Sequence, residues 1–294
     1  MEIYEISFES LPSENKDVIL CLGFFDGVHK GHQYLFNLAK KEGYPVAAFT
    51  FDNSPAYVLG KKIENSALSS VSDRAEYLQD LGVEYLYILH FDIEASRYTK
   101  DQFIELILKK INPRKIYCGS DFRFGVREDG NASYLKLFFD VNIVTMLEDD
   151  GNKISARNIL SFINEGNIKK ANELLGRPYR ICGLVVPGKQ NGSKIDVPTA
   201  NLNLSFPYAF PKAGVYSGYA DFYGDRYNAL ICVSTHPTID MLALPIIEVH
   251  ILDYSGDLYG QEIFIEFIDF IRDIITFDSL DELKEQIQKD IVFM

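Results

Sequence analysis

Residues Asp17 to Leu35, DVILCLGFFDGVHKGHQYL, constrain this chain more than any other stretch. Asp17 to Gly23 is a short apolar run of the kind that forms a strand buried on both faces. Phe24 to Gly31 then puts Asp26, Gly27, His29 and Gly31 into one turn, and His32 follows directly. From Gln33 to Lys41 apolar residues return at Leu35, Phe36, Leu38 and Ala39, which is helical spacing. A strand, a glycine-bearing turn and a helix aim backbone N–H groups and the positive end of a helix dipole at an anion above the strand. Two histidines three residues apart add side-chain donors there, and the segment reads as a phosphate site. Two plainer readings compete. One is a pair of solvated histidines at a helix start; the other is a zinc pair, which lacks a nearby cysteine or third histidine.

The formal charge of −13 argues against a nucleic-acid partner, because binding a phosphate backbone needs a basic surface. A nucleotide substrate remains compatible, since a helix end, a metal and a few cations meet its charge locally. Cys21, Cys118, Cys182 and Cys232 are far apart with no CxxC, the pattern of reduced thiols in a cytoplasm. No apolar stretch is long enough to span a bilayer, and the acidic N-terminal residues lack the basic region of a signal peptide. The 18 Tyr and 21 Phe suit a flat heteroaromatic ligand but fill cores equally well.

Further apolar runs at Tyr44–Phe51, Val83–Phe91, Lys115–Gly119 and Val141–Leu147 read as strands. Between them lie a helix within the segment 67–82, capped at Ser72 or Asp73 with apolar positions at Ala75, Leu78 and Leu81, and another at Thr99–Ile111. Alternating strands and helices predict a parallel sheet covered on both faces, with ligands at the strands' carboxyl ends. His29, His32, Asp52 and the loop after Gly119 all fall at such ends. Ile154 to Gly176 reads as two short helices broken at Gly166-Asn167, and Gly176-Arg177-Pro178 stops the helical pattern. This places a domain boundary between 1–177 and 178–294. Beyond it, short alternating runs separated by turn residues predict an antiparallel sheet or barrel. Ser279 to Ile291 closes the chain as an amphipathic helix, with Ser279 and Glu282 spaced as a capping box.

GFFDGVHKGHQ, AAFTFDNSP, CGSDFRFGVREDGN, VPTANLNL, IIEVHIL and DLYGQEIFIEFIDFIRD occur in the order of a known family. From about residue 15 to 291 the chain resembles the bacterial bifunctional riboflavin kinase/FAD synthetases. The resemblance implies an α/β fold: an N-terminal Rossmann-like HxGH nucleotidyltransferase domain, then a C-terminal antiparallel β-barrel riboflavin kinase-like domain with a C-terminal helix. It implies that riboflavin is phosphorylated to FMN and that FMN is adenylylated to FAD, with ATP and Mg2+, at separate sites. By the same resemblance His29 and His32 serve adenylyl transfer, with Gly23, Phe25, Asp26, Gly27, Gly31, Ser155 and Arg157 around the ATP. Phe51, Asp52, Asp121, Phe122 and Phe124 are expected at the flavin of that domain. In the second domain Gly188 and Gly192 flank ATP, Thr199 and Asn201 hold the metal, Glu248 is the general base, and Arg272 contacts flavin or its phosphate.

Several positions depart from the family pattern. Where the family carries I-S-S-T-x-x-R, this chain reads ISARNIL, without the second serine, the threonine and the arginine. Phe24 stands where the family has Asn, and Ser54 where many relatives have His. Asp196 replaces a glycine before PTAN, and His236 replaces an arginine. Two other functions therefore stand beside the bifunctional one: an enzyme retaining one activity, or a flavin- or nucleotide-binding paralogue acting as a sensor or partner. The expected partners are small molecules, with no nucleic acid or membrane, and the expected state is a monomer or weak homo-oligomer.

Overall fold

Ile19–Leu22 is buried along its whole length, and it becomes the central strand of a parallel sheet. The computed structural model describes residues 1–11, 17–61, 66–188, 197–234 and 246–294. The sheet holds β1 (Glu2–Ile6), β2 (Ile19–Leu22), β3 (Val46–Phe51), β4 (Tyr85–Leu89), β5 (Lys115–Gly119) and β6 (Val141–Val144), in the order β1-β4-β3-β2-β5-β6. Every neighbouring pair is parallel. The two-residue period of β2 sends Ile19 and Cys21 to one face and Leu20 and Leu22 to the other. On the first face they meet Leu35 and Phe36 of α1 (Lys30–Ala39) and Leu78 of α2 (Val71–Asp80). On the second they share a core with Phe103, Ile104, Ile107 and Leu108 of the helix over 100–111, α3. Burial on both faces is what a continuous apolar strand requires.

The cap of α2 differs from the expected Ser72 or Asp73. Ser70 is the N-cap, accepting from the Asp73 N–H, while the Asp73 carboxylate accepts from the Ser70 N–H. Asp73 at the third helical position can return this bond, which selects Ser70 from the neighbouring serines. From β2 the chain proceeds through β3 and β4 to one side, and later through β5 and β6 to the other. The order therefore switches between β2 and β5, where an open α/β sheet leaves a crevice for a ligand.

By internal contacts the chain divides into Met1–Ala156 and Arg157–Met294. The contact division thus falls ahead of the change of pattern at 177, at the start of α4 (Ala156–Asn164); α5 (Ile168–Leu175) lies within the second unit. In the second unit β7 (Tyr179–Val186), β8 (Ala200–Leu204), β9 (Gly214–Phe222), β10 (Asp225–Ser234), β11 (Ile246–Ile251) and β12 (Glu262–Arg272) close a barrel. The order is β7-β8-β11-β10-β9-β12, antiparallel throughout. Tyr216, Ile231, Val249, Ile265 and Phe267 are fully buried in it. β9 slips register against β12 between Ser217 and Gly218, and a Cβ at Gly218 would lie 2.0 Å from the Glu266 carbonyl oxygen. Only glycine permits that close approach, which bends the strand to close the barrel.

The last helix, α6 (Leu280–Val292), buries a single residue, Asp290. Ser279 caps it by accepting from the Glu282 N–H, but Glu282 reaches back to the Asp278 N–H, so the expected capping box does not close. The Asp290 carboxylate receives Arg272 Nε at 3.0 Å and Nη2 at 2.7 Å, and Gln286 Nε2 at 2.8 Å. Truncating one partner of such a pair leaves a desolvated charge. Asp290→Ala should therefore cost about 3 kcal/mol of local stability. Hydrogen exchange should show α6 amides losing protection ahead of the barrel, and unchanged protection would remove this pair as the helix's anchor.

Candidate active sites

The turn after β2 departs from ordinary backbone. Phe25, Gly27 and Val28 have φ of 56, 68 and 39°. Glycine adopts this region freely, but for an aromatic and a β-branched residue it costs about 1–3 kcal/mol each. Outside groups hold the turn in place. The Asp26 carboxylate accepts from the Leu68 N–H at 3.0 Å, the Ser69 N–H at 3.1 Å and Ser69 Oγ at 3.2 Å. Gly27 N–H donates to Ser69 Oγ at 2.8 Å. The Phe25 ring is inserted beneath, 4.9 Å from Phe36 and 5.2 Å from His32. A Cβ at Gly23 would stand 2.7 Å from that ring.

His29 is the N-cap residue of α1, only 2 % exposed, and its ring stacks on His32 with centroids 3.6 Å and planes 19° apart. A Cβ at Gly31 would lie 3.1 Å from the His29 ring, so this glycine gives the ring its place. Both imidazoles thus sit rigidly at the positive end of α1. They face a cavity of about 320 Å³ at the β2/β5 switch. His29, Gly31, His32, Gly119, Asp121 and Phe122 line it, and so do Lys153 and Ser155. Gly23, Phe25, Asp26 and Phe51 also reach it. The arrangement offers ring and helix donors and an ammonium to a phosphate, and aromatic edges to a flat ring.

Other expected residues lie elsewhere or are otherwise engaged. Asp26 borders the cavity, yet its carboxylate serves the 68–69 backbone, and burial pushes its pKa above the usual carboxylate range. It braces the turn from the cavity's edge. Gly27 is outside the lining. The Asp52 carboxylate is engaged by the Asn53 and Phe91 N–H groups at 2.7 and 2.8 Å and by His90 Nδ1 at 2.6 Å. Asp52 in turn holds His90 above the usual histidine range. Phe124 is core, 5.2 Å from Phe103, and the cavity-facing Phe122 stacks on it at 5.7 Å. Arg157, the first residue of the second unit, is exposed.

Lys153 and Arg123 line the cavity and were not foreseen. The Lys153 ammonium pairs with the Asp121 carboxylate. Its position immediately before Ile154-Ser155 is the sequence signal that marks it.

In the barrel, Asn201 of β8 stands opposite Glu248 of β11, and Glu248 opposite Cys232 of β10. Directly opposed residues share a face, so Asn201, Glu248 and Cys232 form a row across three strands. Cys232 registers the carboxylate: burial first, then Glu248, pushes its thiol up to about 11. The Asn201 side chain occupies the space that a Cβ on Gly188 would need, at 2.1–2.6 Å. His250 Nδ1 meets the Pro198 carbonyl oxygen at 2.8 Å, tying β11 to the turn that carries Thr199. Thr199 lines a second cavity of about 380 Å³ with Pro198, Val249 and Tyr254. Arg272, expected at flavin, is clamped to Asp290, and its Nη1 donates to the Asp273 carbonyl oxygen at 3.1 Å. Gly192, Asp196 and His236 lie outside the described residues.

Residues 11–158 match the family model described as FAD synthetase, and residues 175–294 the one described as riboflavin kinase. The bifunctional riboflavin kinase/FMN adenylyltransferase of Listeria monocytogenes is 34% identical over 282 residues, covering 92% of this chain and 90% of that protein. The Bacillus subtilis protein of the same name is 33% identical over 291 residues, covering 95% and 92%. A crystal structure from Streptococcus pneumoniae, titled a macrolide-efflux protein, superposes with a TM-score of 0.90 at 33% identity over 99% of this chain and 98% of that one. Among the described residues here no helix is long and apolar enough to cross a membrane.

Proposed function

The chain belongs to the bifunctional riboflavin kinase/FMN adenylyltransferase family, and from that premise we propose which residues make FMN at the barrel and FAD at the parallel sheet. The observation that carries the second assignment is the stacked His29/His32 pair at the β2/β5 switch, in a cavity that Lys153 and Ser155 also line.

In FAD formation an oxygen of the FMN phosphate attacks the α-phosphorus of ATP, and pyrophosphate leaves. No covalent nucleophile is needed; the protein aligns phosphates and stabilises the charge that builds on the leaving group. His29 and His32 direct ring N–H groups, and α1 its first backbone N–H groups, at the phosphates. Lys153 supplies a cation at the same cavity, a role that the missing arginine of the ISARNIL segment leaves open. Phe51 and Phe122 face the isoalloxazine ring. Lys153→Met should lower kcat/KM for FAD formation by about 10²-fold, the usual effect of removing one preorganised group. A rate within twofold of wild type would exclude Lys153 from the phosphate site.

In FMN formation Glu248 takes the proton of the riboflavin 5′-hydroxyl as that oxygen attacks the γ-phosphorus, and ADP leaves. The nucleotide occupies the cavity beside Thr199. The Thr199 hydroxyl and the Asn201 carboxamide oxygen are donors of the kind a hard cation takes. Among the described residues no group of three or more His, Cys, Asp or Glu is arranged to hold a metal ion. Two neutral oxygens suit an ion whose charge is met by the ATP phosphates. When bound, Mg2+ would offset phosphate charge. The charge of −13 and four free cysteines support action in the cytoplasm on small molecules rather than nucleic acid. The direct test is paired turnover with MgATP and either riboflavin or FMN, with products separated by chromatography. FMN and FAD, respectively, are expected; flavin binding with neither product would overturn the reading.

A further inference from the structure

The strained turn that carries His29 is gripped by a buried arginine that does not itself reach the cavity. Arg74 of α2 is 1 % exposed. Its Nη1 donates to the Phe24 carbonyl oxygen at 2.9 Å and to Thr50 Oγ1 at 2.8 Å, and its Nε points to the Ser70 carbonyl oxygen at 3.4 Å. Thr50 Oγ1 donates to the same Phe24 carbonyl at 2.7 Å. The guanidinium carbon also lies 4.6 Å over the Phe24 ring. Both halves of Phe24 are therefore held, the carbonyl by two donors and the ring by a cation.

Phe24 is the residue immediately before the three left-handed positions of the turn, and it stands where the family motif has asparagine. Burying an arginine disfavours its charge, and desolvation lowers Arg74 to about 10 despite Asp26, Asp52 and Asp73 nearby. Strained backbone persists where surrounding contacts over-determine it, and here those contacts converge from Leu68, Ser69 and Arg74. The two N–H bonds of Nη1, fixed in the guanidinium plane, reach the carbonyl and the hydroxyl in one geometry, which an ammonium rotating on a flexible stem does not hold.

We infer that Arg74 is a positioning residue for adenylyl transfer: clamped on Phe24 and Thr50, it fixes the 24–28 turn so that the stacked His29/His32 pair meets the phosphates. This rests on the assignment of FAD formation to the His29/His32 cavity. The Arg74–Phe24 stack lets this chain carry a phenylalanine where its relatives carry asparagine, because Arg74 grips the main chain and uses the ring as a platform.

The test compares the full-length wild type with Arg74→Lys and Thr50→Val. Three readouts are taken on each preparation: kcat and KM for FAD formation, the riboflavin kinase rate, and the imidazole C–H resonances of His29 and His32. A displacement of order 1 Å at a reacting group costs about 10²-fold. Arg74→Lys should therefore lower kcat for FAD formation by about 10²-fold, with KM for ATP within about twofold. Thr50→Val, which removes one hydroxyl from a β-branched core residue, should act in the same direction at about tenfold. In both, the kinase rate should be unchanged and the histidine resonances displaced in folded protein. Wild-type kcat with wild-type resonances would overturn the proposal, as would a kcat loss that merely tracks a loss of folded protein. If Arg74→Lys does not fold, Thr50→Val decides by the same criteria. If the wild type makes no FAD from FMN, the underlying assignment fails instead, and the resonances alone still decide whether Arg74 positions the pair.

Discussion

Replacing both His29 and His32 with alanine should abolish FAD formation from FMN, by about 10³-fold or more, and leave phosphorylation of riboflavin at its wild-type rate. Removing one preorganised donor at a site of developing charge costs about 10²–10³-fold, and the two rings act on the same phosphates as a stacked unit. Their losses should therefore not multiply, and each single variant should approach the double. The control is built into the chain, because the residues assigned to the kinase lie in the separate unit Arg157–Met294. His29 is buried and its ring fills space against Gly31, so part of any loss could come from a cavity. His29→Gln and His32→Gln, which keep bulk and a donor, separate these causes. Partial recovery with glutamine would identify hydrogen bonding to phosphate as the lost function. Equal loss of both activities in the double variant would refute the two-site assignment.

Glu248→Gln should do the reverse: FMN formation falls by about 10³-fold, within the range general bases contribute, and FAD formation from FMN continues. Glutamine matches the shape of glutamate, so the row Asn201–Glu248–Cys232 keeps its packing and loses only the base. A second readout reports the electrostatics without turnover. The Glu248 carboxylate helps push the Cys232 thiol up to about 11. Removing that charge should move thiol titration to lower pH, seen as alkylation of Cys232 becoming faster at a given alkaline pH. A full kinase rate in Glu248→Gln would remove this glutamate from the mechanism, whatever the thiol does.

The fold was largely legible because its signals are local. The buried runs at β2, β3 and β5, the strand–helix alternation up to 147, and the break at Gly176-Arg177-Pro178 all follow from periodicity and turn chemistry. The helix start at His29 and the ring-on-glycine contact at Gly31 lie within one short segment, so that half of the site could be read directly. Lys153, by contrast, reaches the cavity from a position far along the chain, and the alternation places strands without saying which later residue returns to their ends. The cap of α2 was misplaced by two or three residues because four candidate cap residues crowd together there.

What the sequence alone determined was the set of elements, the family motifs, and the turn where phosphate chemistry is expected. What the tertiary structure decided was which polar groups are available for that chemistry. Asp26, Asp52 and Arg272 all carry charges suited to a ligand, yet each is engaged by partners distant in the chain: the 68–69 backbone, Phe91 with His90, and Asp290. Arg74, with no place in any expected motif, is the buried fork that holds the turn. The reason is physical. A residue's type sets which hydrogen bonds and charges it can offer, but burial obliges those groups to find partners wherever the fold brings them, and only the remainder is left for substrate.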